Sequence, residues 1–268
     1  TTLELQDDTQ IMAHRGASEV APENTMAAFR QAIEDGADWI EIDVQETADG
    51  EVVVLHDSDF MKLSANPLKI WDAQRKELAG IDIGSWVDPK FASERVPTLA
   101  EVLQLCKDKV GVNIELKYYG HDQQLEQRVV DIVESAGMAE QIMVMSLKPE
   151  GVAKIKALRP SWKCGLLLSV YVGNLRKITA DFLAVNARFA TRNFVNRAHK
   201  ANKQVFVWTV NDAATMSQVM NRKVDGILTD RPELAQQVLR QRSEMSTTER
   251  LLAELSILFN QPKTEIEP

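Results

Sequence analysis

Cysteine and long basic stretches are scarce in this sequence, and each scarcity argues against a class of protein. The two cysteines, Cys106 and Cys164, lie far apart and fit neither a disulfide framework nor a Cys/His metal spacing. Both are therefore expected to be small buried residues. The formal net charge is −8 and no basic block occurs, which argues against nucleic acid as a partner.

Long apolar runs are also lacking. No stretch of about 18 apolar residues occurs and no signal peptide is visible, so we expect a soluble chain of the cytoplasm or the periplasm. The sequence begins TTLELQDDTQ without a methionine, as in a processed chain or in the soluble part of a membrane-anchored protein. Membrane association is expected only through a region outside this sequence, and the oligomeric state is not readable from it.

What the sequence does contain is an alternation of strand-like and helix-like segments. In PENTMAAFRQAIEDGAD, for example, Asn24 or Thr25 can cap a helix whose apolar residues recur with helical spacing. Alternating strands and helices favour a parallel sheet, and eight units favour a closed (β/α)8 barrel over an open sheet. No GxGxxG or P-loop motif supports the open sheet. The eight predicted strands are 11–13, 39–44, 112–117, 141–145, 163–168, 182–185, 204–208 and 226–228.

Three stretches depart from this alternation. Residues 57–97, which follow one extra strand, EVVVL, show no clear periodicity, which predicts an insertion with a local structure of its own. Residues 170–180 leave room only for a short helix. The tail, ERLLAELSILF, carries a leucine stripe that predicts an amphipathic helix within 246–268, packed on the outside of a barrel formed by 1–245.

Two of the predicted strands carry carboxylates on one face. In WIEIDV, Ile40 and its alternate neighbours share one face, while Glu41 and Asp43 share the other. VNIELK repeats the pattern with Glu115. Chemistry in such barrels sits at the carboxyl ends of the strands, so these three carboxylates are expected to converge in the barrel mouth.

Carboxylates that lie so close in a low dielectric need a cation among them. Oxygen ligands without cysteine or histidine favour one hard ion, Mg²⁺ or Ca²⁺, over zinc. The alternative is a purely structural network in which Glu41 or Asp43 pairs with Arg15 or Lys117. Two such strands at barrel-compatible spacing favour the metal site.

Two of the four histidines also follow apolar strands directly. His14 and His56 are therefore expected near the carboxylates, where a histidine pair can act as acid and base. His121 and His199 are expected at the surface. A site with a cation, two basic side chains and two histidines suits a phosphate diester.

Five stretches, taken together and in order, resemble the glycerophosphodiester phosphodiesterase family, from about residue 11 to residue 239. The departures are small: Phe60, Lys62 and Ser64 stand where the family tends to carry Leu, Arg and Thr, which affects the expected alcohol specificity more than catalysis. The stretches are HRGASEVAPENT, GADWIEIDVQETADGEVVVLHD, VNIELK, VWTVND and DGILTDRP.

The resemblance implies a (β/α)8 barrel with a small insertion after the second strand, at about residues 46–98. It also implies metal-dependent hydrolysis of small glycerophosphodiesters to glycerol 3-phosphate and an alcohol, through a cyclic phosphate. It implies that the metal ligands are Glu41, Asp43 and Glu115, and that His14 and His56 are catalytic. It further implies phosphate contacts from Arg15 and Lys117, with Trp208 lining the substrate pocket. Two alternatives stay open: a related enzyme acting on lysophospholipids or phosphoinositides, and a module that binds glycerophosphodiesters without cleaving them.

Overall fold

A closed barrel of eight parallel strands forms the centre of the protein. The computed structural model describes residues 8–121, 123–169, 173–245 and 248–249. The barrel strands lie in the sheet in their chain order, and the first strand, Gln10–His14, pairs with both the second, Trp39–Glu46, and the last, Gly226–Thr229, which closes the sheet. The predicted (β/α)8 barrel is therefore confirmed.

The eight barrel strands match the predicted segments within two residues. The strands are β1 (Gln10–His14), β2 (Trp39–Glu46), β3 (Val52–Val54), β4 (Asp59–Phe60), β5 (Asn66–Lys69), β6 (Gly111–Leu116), β7 (Ile142–Ser146), β8 (Lys163–Leu168), β9 (Phe182–Asn186), β10 (Gln204–Trp208) and β11 (Gly226–Thr229). The α-helices are α1 (Met26–Glu34), α2 (Met61–Ser64), α3 (Arg75–Leu78), α4 (Leu99–Cys106), α5 (Leu125–Ala136), α6 (Pro149–Leu158), α7 (Arg192–His199), α8 (Ala213–Asn221) and α9 (Pro232–Glu244).

The two faces of each barrel strand meet different surroundings. Ile40, Ile42 and Val44 of β2 are buried in the large apolar layer between the sheet and the helices. A second, smaller apolar cluster fills the barrel interior, so the interior is packed rather than open. Its buried members are Met12, Met143, Met145, Phe182, Ala184, Phe206 and Leu228. Polar residues at the carboxyl ends of the strands lie above this apolar plug.

The insertion after β2 has a small core of its own. β3 pairs antiparallel with β2, and β4 and β5 form a separate two-stranded sheet. Leu55, Phe60, Ile70 and Leu78 are fully or almost fully buried members of an apolar cluster confined to this region. The local structure predicted for 46–98 is thus present, and it ends where Thr98 caps α4.

Three details refine the sequence-based expectations. Lys117 lies just beyond β6 rather than inside it. The weak stretch 170–180 contains one 3-10 turn, Leu175–Lys177, among its described residues. The leucines of the predicted C-terminal helix fall outside the described residues, so that helix stays a prediction. No helix within the described ranges is long and apolar enough to cross a membrane.

Gly165 in β8 gives a direct test of the packed interior. A Cβ atom at this position would lie 2.0 Å from Cε2 of Phe182. We therefore expect Gly165→Ala to lower the free energy of unfolding by about 2 kcal/mol, measured by urea denaturation. Gly80→Ala is the matched control, because a Cβ there meets no atom within 4 Å. Equal stability of both variants would contradict this picture of the interior.

Candidate active site

Three buried carboxylates converge at the carboxyl ends of β2 and β6. The two strands pair in parallel with Asp43 opposite Glu115, which brings the predicted carboxylates side by side. Glu41 and Asp43 are each 1% exposed and Glu115 is 5% exposed. One oxygen of each of the three lies within 4.8 Å of the others. The structure therefore assembles the trio that the two sequence patterns predicted.

Two cations lie against this trio. Lys117 Nζ is 2.6 Å from Glu115 Oε1 and 3.2 Å from Asp43 Oδ1. Arg15 Nε is 3.2 Å from Asp43 Oδ2, and the Arg15 backbone N–H donates to Glu41 Oε2 at 3.0 Å. Two positive side chains thus face three carboxylates.

The pKa values of the trio separate because the cations are shared unequally. Burial disfavours ionised Asp43, yet Lys117 and Arg15 outweigh burial and lower its pKa to about 2. Burial, and next the charge of Asp43, raise the pKa of Glu115 to about 7. The same two causes raise the pKa of Glu41 well above its ordinary value. The site therefore lacks enough positive charge to keep all three ionised near neutral pH.

A bound cation would supply the missing charge. Glu41 Oε1 is buried and has no hydrogen-bond partner among the described residues. A buried carboxylate oxygen without a donor is costly, and a metal ion would satisfy it. The ion pairs with Arg15 and Lys117 belong equally to a structural network, but that network leaves Glu41 Oε1 unsatisfied. The trio could hold a hard divalent cation, since all its donors are oxygens.

The two strand-end histidines are each bound to a carboxylate. His14 Nδ1 lies 2.7 Å from Asp230 Oδ1, and His56 Nδ1 lies 2.7 Å from Asp57 Oδ1. An ionised carboxylate only accepts hydrogen bonds, so the hydrogen of each neutral ring is assigned to Nδ1. Nε2 is then the proton-exchanging atom of both rings. Burial lowers the pKa of His56, which favours its neutral form.

The loop after β1 orients the predicted phosphate-binding arginine. Arg15 adopts a left-handed backbone conformation with φ of 56°. Its Nη1 donates to Glu23 Oε1 at 3.0 Å, and the other oxygen of Glu23 lies 2.7 Å from Lys62 Nζ. Asn24, which also has φ of 56°, donates through Nδ2 to Asp43 Oδ2 at 2.9 Å. The PENT stretch therefore braces both the arginine and the carboxylate trio.

The remaining predicted residues are Trp208 and the two histidines that were expected at the surface. Trp208 ends β10, half-buried, and its indole N–H is buried without a partner among the described residues. It is therefore a donor available to a ligand. His121 and His199 are exposed as predicted: His121 stacks on Trp71 with ring centroids 4.1 Å apart, and His199 pairs with Asp225 at 2.8 Å.

Sequence reasoning did not assign a role to five residues that touch this site. Asp57 and Asp230 follow a histidine and a strand end, so their positions were visible but their partners were not. The other three lie in the β1–α1 and β10–α8 loops, and the periodicity of a sequence does not predict the contacts of loop residues. The five are Glu23, Asn24, Asp57, Asn211 and Asp230.

Comparison with known proteins gives a consistent result. The model of the glycerophosphoryl diester phosphodiesterase family matches residues 14–234. A glycerophosphodiester phosphodiesterase of Caldanaerobacter subterraneus subsp. tengcongensis is 34% identical over 235 residues, which cover 84% of this chain and 95% of that protein. A glycerophosphodiester phosphodiesterase of Bacillus altitudinis is 30% identical over 240 residues, covering 85% and 96%.

A solved structure adds a ligand to the comparison. The structure of an Oleispira antarctica phosphodiesterase in complex with the product sn-glycerol-3-phosphate has a TM-score of 0.82 to this protein. The two chains are 27% identical, and the match covers 86% of this chain and 96% of the other.

The raised pKa of Glu115 predicts how metal binding depends on pH. Metal ligands must be deprotonated, so Mg²⁺ or Ca²⁺ binding should release protons near pH 7. Affinity should fall by about fivefold between pH 7 and pH 6 for one group with a pKa of about 7 that must lose its proton. Isothermal titration calorimetry in two buffers of different ionisation enthalpy measures both quantities. Equal affinity at pH 6 and pH 8 would contradict the site.

The raised pKa of Glu115 also determines how the free energy of unfolding of the metal-free protein depends on pH. The pKa of Glu115 is about 7, above its ordinary value of 4.5. This group therefore favours the folded state most below pH 4.5, and its contribution is lost as pH rises through 7. Glu115→Gln should abolish that loss. It should also weaken metal binding, which separates it from a surface control such as Glu34→Gln, whose side chain is exposed.

Proposed function

Because the chain belongs to the glycerophosphoryl diester phosphodiesterase family, we propose that it hydrolyses glycerophosphodiesters to glycerol 3-phosphate and an alcohol, with one divalent cation as cofactor. The observation that carries this proposal is the buried trio of carboxylates with an unpartnered Glu41 oxygen beside two carboxylate-bound histidines. The names of the relatives and the product bound in the Oleispira protein support it.

Glu41, Asp43 and Glu115 would hold the metal, Mg²⁺ or Ca²⁺. When bound, the cation acts as a Lewis acid that stabilises negative charge on phosphoryl oxygens. The carboxylates that would hold it lie at the barrel mouth, above the apolar plug. Lys117 remains beside it, and the two carboxylates in contact with Lys117 raise the pKa of its amine, against the effect of burial, so the amine stays charged.

Arg15 and Lys117 would contact the phosphoryl group. Glu23 fixes the Arg15 guanidinium from one side and Asp43 from the other, so its planar donors are oriented before the substrate arrives. Pre-orientation of this kind lowers the entropy cost of binding. The unpartnered indole N–H of Trp208 would donate to a polar group of the substrate.

His14 and His56 would move the protons. The glycerol 2-hydroxyl is tethered to the phosphorus, so its attack avoids much of the entropy cost of an external nucleophile. One histidine takes the hydroxyl proton through Nε2 as the new P–O bond forms. The other histidine protonates the departing alcohol oxygen as the old P–O bond breaks. Water then opens the cyclic 1,2-phosphate with the two roles reversed, which returns both histidines to their starting state.

A second candidate function is hydrolysis of lysophospholipids, and one specific observation favours it. Of the eight exposed large apolar side chains among the described residues, seven lie in the loops at the barrel mouth or in the insertion. Such a concentration is typical of a site that contacts an apolar group. Met245, after α9, lies at the opposite end of the barrel. The seven are Val20, Met61, Trp86, Val87, Tyr119, Leu147 and Phe189.

The first test of the main proposal removes the attacking hydroxyl. A glycerophosphodiester that lacks the 2-hydroxyl should bind without being cleaved, measured by competition and by product analysis. His14→Ala and His56→Ala should each lower kcat by about 1,000-fold on the natural substrate. The double variant should be little worse, because the two residues act as a unit.

His199→Ala is the matched control, since its partner Asp225 lies at the other end of the barrel. It should keep normal turnover. Rapid cleavage of the 2-deoxy substrate would mean that water attacks directly, and the two-histidine relay would be wrong. Full activity in excess chelator, with no metal in the sample, would contradict the cofactor assignment.

The second test distinguishes the two substrate classes. If the apolar side chains at the mouth contact an acyl chain, Leu147→Ser and Phe189→Ser should each raise the KM for lysophosphatidylcholine by about fivefold, equivalent to about 1 kcal/mol of lost burial. Turnover of glycerophosphocholine should not change. Met245→Ser is the control for surface polarity. Unchanged KM for the lysolipid in both mouth variants would exclude this candidate.

A further inference from the structure

The side chain of Asp230, at the end of β11, makes more hydrogen bonds than the end of a strand requires. Its Oδ1 accepts from His14 Nδ1 at 2.7 Å and from Ser18 Oγ at 3.0 Å. Its Oδ2 accepts from Asn211 Nδ2 at 2.6 Å. Both carboxylate oxygens thus have donors supplied by different loops of the barrel mouth.

We propose that Asp230 is a positioning residue that fixes the tautomer of His14 and aims its Nε2 at the reacting phosphodiester. The inference rests on the proposed function of His14. Asp230 itself would touch neither substrate nor metal. Its role would be to accept the Nδ1 hydrogen, so that Nε2 is the nitrogen able to take or give a proton.

Asn211 determines which group can stand at position 230. Its Oδ1 accepts from the Asp230 backbone N–H at 2.9 Å and from Thr229 Oγ1 at 3.1 Å. The amide of Asn211 cannot turn over without placing its NH₂ against the Asp230 backbone N–H, so its Nδ2 must point at the side chain of residue 230. Asn211 therefore demands an acceptor there, and the carboxylate satisfies Asn211 and His14 at the same time.

The corresponding support of His56 is weaker. Asp57 adjoins His56 in sequence, its side chain is 35% exposed, and within the described part of the chain its carboxylate is bonded only to His56. Water can replace such a partner. The Asp230 side chain is 27% exposed, but its carboxylate accepts from three side chains, those of His14, Ser18 and Asn211. Water replaces such a partner less readily, so the two aspartates should differ in their effect on turnover.

This geometry predicts what Asp230→Asn does. The new amide must present its oxygen to Asn211, which leaves its NH₂ facing His14 Nδ1. His14 would then accept at Nδ1 and carry its hydrogen on Nε2, the wrong tautomer for taking a proton. We expect kcat to fall by about 100-fold or more with little change in KM. Asp57→Asn should lower kcat by less than tenfold.

Exchanging the residues at positions 211 and 230 tests whether kcat depends on the tautomer and orientation of His14 or only on an intact fold. In Asp230→Asn/Asn211→Asp, the carboxylate at 211 accepts from the new amide, whose oxygen can again face His14 Nδ1. This double variant should recover at least tenfold in kcat over Asp230→Asn. Imidazole ¹⁵N NMR should place the hydrogen of neutral His14 on Nδ1 in the wild type and the double variant, and on Nε2 in Asp230→Asn.

The controls separate this inference from the proposed function. Asp225→Asn disturbs a third described His–Asp pair, with His199 at the opposite end of the barrel, and should keep kcat unchanged. If the wild-type protein cleaves no glycerophosphodiester, the proposed function itself is wrong. If His14→Ala retains full activity, the catalytic role of His14 is wrong, and the role of Asp230 with it. If His14→Ala is inactive while Asp230→Asn keeps its kcat, only the role of Asp230 is wrong. A double variant as slow as the single one, with the hydrogen on Nδ1 in both, would also overturn it. Should Asp230→Asn fail to fold, the wild-type ¹⁵N spectrum still decides, because a hydrogen on Nε2 there contradicts the proposal.

Discussion

The concentration of buried negative charge at the barrel mouth is the constraint around which the site is arranged. Three carboxylates on two adjacent strands lie within 4.8 Å of one another and are at most 5% exposed. Such a cluster is unfavourable unless positive charge and donors surround it. The cations Arg15 and Lys117, the amide of Asn24 and the Arg15 backbone N–H supply part of that compensation. A metal ion would supply the rest.

The barrel makes this cluster possible by fixing the register of its strands. Asp43 stands opposite Glu115 because β2 and β6 pair in parallel, with Ile40 and Ile42 buried on the outer face. A slip of one residue would turn the carboxylates into the layer under the helices. The outer apolar face therefore secures the positions of the inner polar one. The insertion contacts this site through Lys62, which pairs with Glu23. Glu23 in turn accepts a hydrogen bond from Arg15.

The sequence predicted those features that depend on period and order. Alternation in WIEIDV and VNIELK placed Glu41, Asp43 and Glu115 on inner faces, and the count of strands indicated the closed barrel. The carboxylate partners of His14 and His56 were not predicted. Asp230 lies 216 residues after His14 in the sequence, and the two side chains meet because β1 and β11 pair and close the sheet. The periodicity of the sequence also does not predict loop conformations, such as the left-handed backbone conformation of Arg15.

The direct measurement of the central claim is a crystal structure with anomalous scattering from Mn²⁺ or Ca²⁺. The account predicts one anomalous peak between Glu41, Asp43 and Glu115, with carboxylate oxygens about 2.0–2.5 Å away, Glu41 Oε1 among them. Lys117 Nζ should remain beside the cation without occupying its place. A structure grown in excess metal at pH 8 that shows no peak there, with the trio satisfied by Arg15 and Lys117 alone, would contradict the account.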